Sequence, residues 1–252
     1  MAFHIRALEV ESKCGGSIIR TPRANSSFSL PASLMSTTAT DLIIVGAGGQ
    51  GLEAAWIAVE IALAGRANFH LLGFVDDAPG LVGKTVGRWQ VLSGVDDFIA
   101  QRRGQSLLFH CAIGRNDARK LVVRKMEEAG FLPMTLISPQ ATVSPDVTVG
   151  EGSFVASRAY LGPEAKIGRH VLVNVHASMG HHSVTEDFAQ ICPGARVSGG
   201  CRLGEGVFLG SNAVLAPLVK MGPWSSLGAA AFAGRDIPTD AVFVGNPARQ
   251  IR

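Results

Sequence analysis

The chain has one tyrosine among 252 residues, and aromatic residues make up only 6% of it. A core built mainly on large rings is therefore excluded. Charge is also sparse, at 17% of residues with a net of +3. There is no basic run and no interleaving of basic with aromatic residues, which argues against nucleic acid as a partner. No apolar run approaches the ~18 residues of a membrane span, so no membrane partner is expected. The four cysteines, Cys14, Cys111, Cys192 and Cys201, form no C-x-x-C pair. That spacing supports neither a redox motif nor a zinc knuckle. Reduced thiols in a cytoplasmic protein are the expectation.

What the sequence has in abundance is small and aliphatic: 30 glycines in a chain that is 47% hydrophobic. Such a composition suits closely stacked backbone, and the length suits one large domain or two ordinary ones. Residues 1–40 show no periodicity and end in a Ser/Thr/Ala-rich stretch. They lack the apolar stretch of a secretory signal, and Glu9 and Glu11 weigh against a transit peptide. A disordered extension is expected there, with Met35 just ahead of the first ordered pattern as an alternative start.

Residues 41–133 read as an α/β domain. DLIIVGAGGQGLEAAWIAVEIALAG, from 41 to 65, is a strand, a glycine-rich turn and a helix, with Gly46, Gly48 and Gly51 fitting G-x-G-x-x-G. Glycines there permit a tight turn and close approach of a phosphate to N–H groups at a helix N-terminus. A second strand, 69–77, ends in Asp76 and Asp77; a third, 107–114, leads through Gly114, Arg115 and Asn116 into a helix over 117–130. Alternating strands and helices imply a small Rossmann-like sheet. Gly48, Asp76 and Gly114 fall at strand C-termini, where such sheets bind ligands. The competing reading is that the glycines only let helix pack on strand.

Residues 134–252 carry the strongest pattern. From Ile137, every sixth residue up to Leu227 is apolar except Thr185, and a small or short residue such as Ala141, Ser153 or Ala159 follows four positions later. A six-residue period fits a parallel β-helix. Each hexad supplies a short strand and a corner, and three hexads close a triangular coil, giving about five coils here.

This register constrains the histidines of NVHASMGHHSVTEDF, residues 174–188. His170, His176 and His182 are six apart, so they lie on three different sides of the prism and do not converge on one metal within a chain. Zinc, which needs at least three converging ligands, is open only by sharing across a subunit boundary. A solvated surface histidine is the plain alternative. One coil from His181 lie Pro163 and Gly199. A histidine beside a bare glycine peptide can act as a base while the glycine N–H holds an oxyanion.

The segments VGAGGQG, FVDD, AIGRND, VNVHASMGHHS, ICPGARVSGGCRLGEGVFLGSNAVLAP and FVGNPARQI together resemble the NeuD/PglD-type sugar acetyltransferases. These are hexapeptide-repeat enzymes acting on sialic acids or UDP-4-amino sugars. The resemblance implies a left-handed β-helix, a homotrimer with sites between subunits, and acetyl-CoA as co-substrate without a metal. It implies that Gly48, Gly49 and Gln50, with Asp76, Asp77 and Gly114, hold a nucleotide-sugar. His181 then matches the general base, Asn174 a recurrent polar position, and Gly199 a backbone donor near the thioester. Ser211 and Ala229 match backbone contacts to the coenzyme A arm, Gln190 a histidine that touches acetyl-CoA, and the VGNPA segment a C-terminal seal. Four places depart from the family: His182 replaces the acid after the base, Gln190 and Gln50 replace histidines, and Thr185-Glu186 replaces an apolar-Gly pair. Glu186 or Asp187 is the candidate replacement for the missing carboxylate. The sequence leaves open acyl transfer from coenzyme A, a non-catalytic sugar-nucleotide-binding homologue, and a trimeric zinc enzyme of the carbonic-anhydrase type.

Overall fold

The computed structural model describes residues 39–252; the expected disordered extension and Cys14 lie outside the described residues. Strand β1 (Thr40–Val45) is followed by α1 (Gly49–Leu63), β2 (Phe69–Val75), β3 (Thr85–Val86), β4 (Trp89–Ser93), α2 (Val95–Arg102), β5 (Leu108–Cys111), α3 (Asn116–Glu128) and β6 (Leu132–Pro133). The sheet order is β3-β4-β2-β1-β5-β6, parallel except for β3 on β4. Leu42, Ile43, Ile44 and Val45 are fully buried, as a central parallel strand covered on both faces requires. β1 lies between β2 and β5, so the chain order reverses there and a crevice opens at the carboxyl ends of these strands.

From Leu136 to Ala233 the chain winds as a left-handed parallel β-helix of two-residue strands, each ending on a member of the six-residue series, aliphatic except at Thr185. Strands pair with the strand eighteen residues on, as in Val155 with Val173 and Val173 with Ile191. The prism has three faces. The first contains Leu172–Val173, Gln190–Ile191 and Phe208–Leu209; the second Ser178–Met179, Arg196–Val197 and Val214–Leu215; the third Lys166–Ile167, Val184–Thr185 and Arg202–Leu203. The aliphatics and the small residues four places after them fill the interior: Leu161, Ala165, Met179, Ala195, Leu209 and Ala213 are all fully buried. Thr185, the one polar member of the series, is buried with its hydroxyl donated to the Glu186 carbonyl at 2.9 Å. Neighbouring coils approach so closely that a Cβ on Gly180 would lie 2.6 Å from the Gly199 nitrogen.

The α/β domain docks on the edge between the third and first faces. The Arg119 side chain, fully buried, donates to the carbonyls of Ile113 (2.9 Å), His170 (3.0 Å) and Phe188 (2.6 Å), joining the loop after β5 to two successive coils. Burial lowers its pKa to about 10, so it remains a cation at neutral pH. Arg119→Met is expected to lose about 3 kcal/mol by stranding these carbonyls, read by calorimetry as a Tm fall of roughly 10 °C. An unchanged Tm would contradict the docking role.

Two buried histidines belong to the same junction. His110 bonds the Met134 carbonyl at 3.0 Å, and His170 is stacked between Phe109 and Phe188. Burial lowers each from the usual 6.5 to about 4. The unfolded chain therefore binds these protons first as pH falls. Stability is full above about 6.5 and declines towards pH 4, by up to about 3 kcal/mol per site. Melting curves between pH 7.5 and 4.5 check this; a flat Tm contradicts it.

Candidate active site

The glycine-rich turn sits in the crevice. Gly46 (φ +103°) and Gly51 serve the turn itself, since a Cβ on Gly51 would lie 2.0 Å from the Gly46 carbonyl oxygen. Gly48 and Gly49, by contrast, face open space at the N-terminus of α1, where backbone N–H groups favour an anion. Beside them Gln50 carries a buried amide nitrogen, Nε2, without a partner among the described residues. Asp76 closes the turn from β2, accepting from Ala47 N–H and Ala78 N–H, each at 2.7 Å. Asp77 turns to the other side and accepts from Val95 N–H at 2.7 Å, capping α2. Its carboxylate thus serves the fold rather than facing the crevice beside Asp76.

Gly114 leads into a cleft of about 460 Å³ between the domains, lined also by Arg115, Asn116, Gln190, Phe208 and Trp224. Asn116 Nδ2 donates to the Gly206 carbonyl at 2.9 Å, and Lys120 lies 5.5 Å from the Trp224 ring centre. Asn116 Oδ1 and Gln190 Oε1 are both buried and unpartnered among the described residues. The cleft therefore brings Gly114 and Gln190 together. Asn116 and Trp224 were not singled out from the sequence, because nothing in their local pattern shows a domain junction.

His181 lies on the next edge of the prism, between the second and third faces. Its ring covers Gly199: a Cβ on that glycine would lie 2.5 Å from both Cε1 and Nε2 of the imidazole. The Gly199 N–H has no backbone partner among the described residues, whereas Gly200 N–H bonds the His181 carbonyl at 2.9 Å. His181 Nδ1 is 2.9 Å from His182 Nδ1, and His182 Nε2 is 3.3 Å from Glu164 Oε2. The carboxylate beside this histidine pair is thus Glu164. Glu186 and Asp187, the sequence candidates, are engaged elsewhere: Glu186 accepts from Glu205 N–H at 2.9 Å, and Asp187 from Arg169 N–H at 2.7 Å.

Ser211 and Ala229 share the third edge, between the first and second faces, where Ala230 N–H bonds the Ser211 carbonyl at 2.8 Å. Asn174 lies on this edge too, buried, with Nδ2 donating to the Ile191 carbonyl at 3.2 Å. One chain therefore does not bring Asn174 to His181. His170, His176 and His182 occupy the three separate edges, and no group of three metal-ligating side chains is placed together among the described residues. Burial pushes the Cys111 and Cys192 thiols up to about 11, so neither is a thiolate nucleophile at neutral pH. No helix among the described residues is long and apolar enough to cross a membrane.

An α/β domain followed by a left-handed β-helix with a histidine on its edge is an acyltransferase architecture. The family model of the PglD N-terminal domain matches residues 41–126. A variant of perosamine N-acetyltransferase from Caulobacter crescentus, solved with CoA and GDP-perosamine, is 27% identical, with a TM-score of 0.75 over 84% of this chain and 97% of that one. The acetyltransferase domain of PglB from Neisseria gonorrhoeae FA1090, in complex with acetyl coenzyme A, is 28% identical, with a TM-score of 0.76 over 84% of this chain and 100% of that one. WeeI from Acinetobacter baumannii AYE is 25% identical, with a TM-score of 0.74 over 84% of this chain and 100% of that one. No curated protein matches the sequence significantly. In domain order and fold the chain is similar to these sugar acetyltransferases, in agreement with the resemblance carried by its motifs.

Proposed function

We propose that the protein transfers an acetyl group from acetyl-CoA to the amine or hydroxyl of a nucleotide-activated sugar. The observation that carries this is the His181 imidazole lying against Gly199, whose N–H has no backbone partner among the described residues. The substrate amine attacks the thioester carbonyl carbon while His181 Nε2 takes its proton. The new C–N bond leaves a tetrahedral oxyanion, which the Gly199 N–H stabilises. Collapse breaks the C–S bond, and the coenzyme A thiolate takes the proton from His181. For a hydroxyl acceptor the steps are the same with a C–O bond. No covalent acyl-enzyme is needed.

The nucleotide-sugar is held at the crevice by Gly48, Gly49, Gln50 and Gly114, with Asp76 fixing the turn and Asp77 supporting it through the α2 cap. Its sugar extends towards the cleft of Gln190. Ser211 and Ala229 present backbone to the coenzyme A arm, and the VGNPA segment, residues 244–248, seals the coenzyme at the C-terminal end. These groups occupy different edges of one prism, so a complete site forms between chains. A cytoplasmic homotrimer meets that requirement, with Asn174 contributing across the seam. Support for the ligand classes comes from relatives solved with CoA, acetyl coenzyme A and GDP-perosamine.

Thiol release from acetyl-CoA, measured against UDP- and GDP-amino sugars and sialic acids, tests the proposal. Release that depends on one of these acceptors is expected. Binding of acetyl-CoA without release over the whole panel would instead favour a non-catalytic sugar-nucleotide-binding protein.

A further inference from the structure

The residue after the base, an acid in the resembling enzymes, is a histidine here, and a carboxylate reaches that histidine from the adjacent coil. We propose that Glu164 and His182 are positioning residues that fix the tautomer of His181 through a carboxylate–imidazole–imidazole relay. This rests on the acyl-transfer reading above.

The backbone sets the relay. Glu164 and His182 stand eighteen residues apart, both at left-handed corner positions (φ 57° and 58°), and His182 N–H bonds the Pro163 carbonyl at 2.9 Å. Their side chains therefore leave the same edge from adjacent coils, with Glu164 Oε2 and His182 Nε2 at 3.3 Å. The two imidazoles meet edge-on, at an interplanar angle of 88°, with Nδ1 atoms 2.9 Å apart.

Electrostatics then favour one arrangement for two neutral rings. The ionised Glu164 carboxylate, an ion-pair contact 3.3 Å from His182 Nε2, favours the hydrogen on that nitrogen. A neutral imidazole has a single N–H, so His182 Nδ1 has the lone pair and accepts from His181 Nδ1–H. The lone pair of His181 is thereby left on Nε2, the nitrogen beside Gly199. When His181 Nε2 takes the acceptor's proton, the positive charge faces Glu164 through His182. Asp146 lies one coil further along the same edge. The Ser144 hydroxyl holds its carboxyl below the usual range, so it adds a second negative charge there.

Steady-state kinetics with acetyl-CoA and the best acceptor, together with histidine 15N NMR of the full-length protein, test the relay. Glu164→Gln is expected to lower kcat about 10- to 50-fold, less than the ~10²–10⁴-fold of the general base itself, while both KM values change by less than about 3-fold. Glu164→Asp recovers part of the loss. The 15N spectrum is expected to show the Nδ1–H tautomer of His181 in the native protein and a shift towards Nε2–H in Glu164→Gln. His182→Glu places a carboxylate beside the base and weakens the dependence on Glu164, so the two substitutions are non-additive. Glu164 is exposed, so the variant keeps its fold, which a melting curve confirms. Native kcat in Glu164→Gln, or an Nε2–H tautomer in the native protein, would overturn the relay. His181→Ala separates the two readings: full activity there sinks acyl transfer at this site, whereas a dead His181→Ala beside an active Glu164→Gln sinks the relay alone.

Discussion

His181→Ala is expected to lower kcat for acyl transfer by about 10²–10⁴-fold, with the coil intact and KM for acetyl-CoA little changed. The imidazole meets His182 at its edge and covers Gly199. It fills no part of the interior, which is formed by Leu161, Met179, Val197 and their equivalents. Its removal takes away the proton acceptor and leaves the Gly199 N–H in place. Part of the catalysis therefore survives in the variant, from oriented binding and the oxyanion donor. Thiol release combined with a melting curve checks both halves of the prediction. A large fall in Tm would mean that the histidine serves the fold.

Gly199→Ala is expected to be nearly as damaging to kcat, by about 10²-fold, because a 1 Å misplacement of a reacting group is worth that much. The added methyl would lie 2.5 Å from Cε1 and Nε2 of His181, and only the imidazole is free to move. The ring must swing off the corner, carrying the base away from the oxyanion donor while the peptide N–H remains. The expected signature is a fall in kcat with a small change in stability. The loss should also be much smaller when His181 is already alanine, since the two residues act as one unit. Full additivity would contradict a shared site.

Most of the prism was legible because one residue type recurs at one spacing. Each aliphatic from Ile137 onward faces the axis, and that alone sets the eighteen-residue pairing of Val155 with Val173. The buried strands β1, β2 and β5 were legible as apolar runs. Strands β3 and β4 and helix α2 were not: β3 has two residues, and α2 buries only Val95, Phe98 and Ile99 while carrying Asp96 and Asp97 in its first turn. Arg119 has no sequence signal that separates it from the other charges of its helix. Only the docking of α3 against the coil reveals it as buried.

Within the site, the sequence placed His181 over Gly199 because the register fixes both. The same register places Glu164 next to His182, since eighteen residues separate them. The carboxylate was instead sought within a few residues of the base, where the chain uses Glu186 and Asp187 to tie successive coils together. The edge carrying Asn174, Ser211 and Ala229 illustrates a different limit. A hexad pattern tells which edge a residue occupies, but the meeting of edges from separate chains is written in surface shape, which has no period.

A structure of the protein with coenzyme A and a nucleotide amino sugar tests the central claim most directly. The thiol is predicted within hydrogen-bond reach of the Gly199 N–H, at a seam between chains, with the sugar amine facing His181 Nε2. A thiol seated elsewhere, for example along the apolar groove of Trp56 and Leu63, with His181 open to solvent, would contradict it.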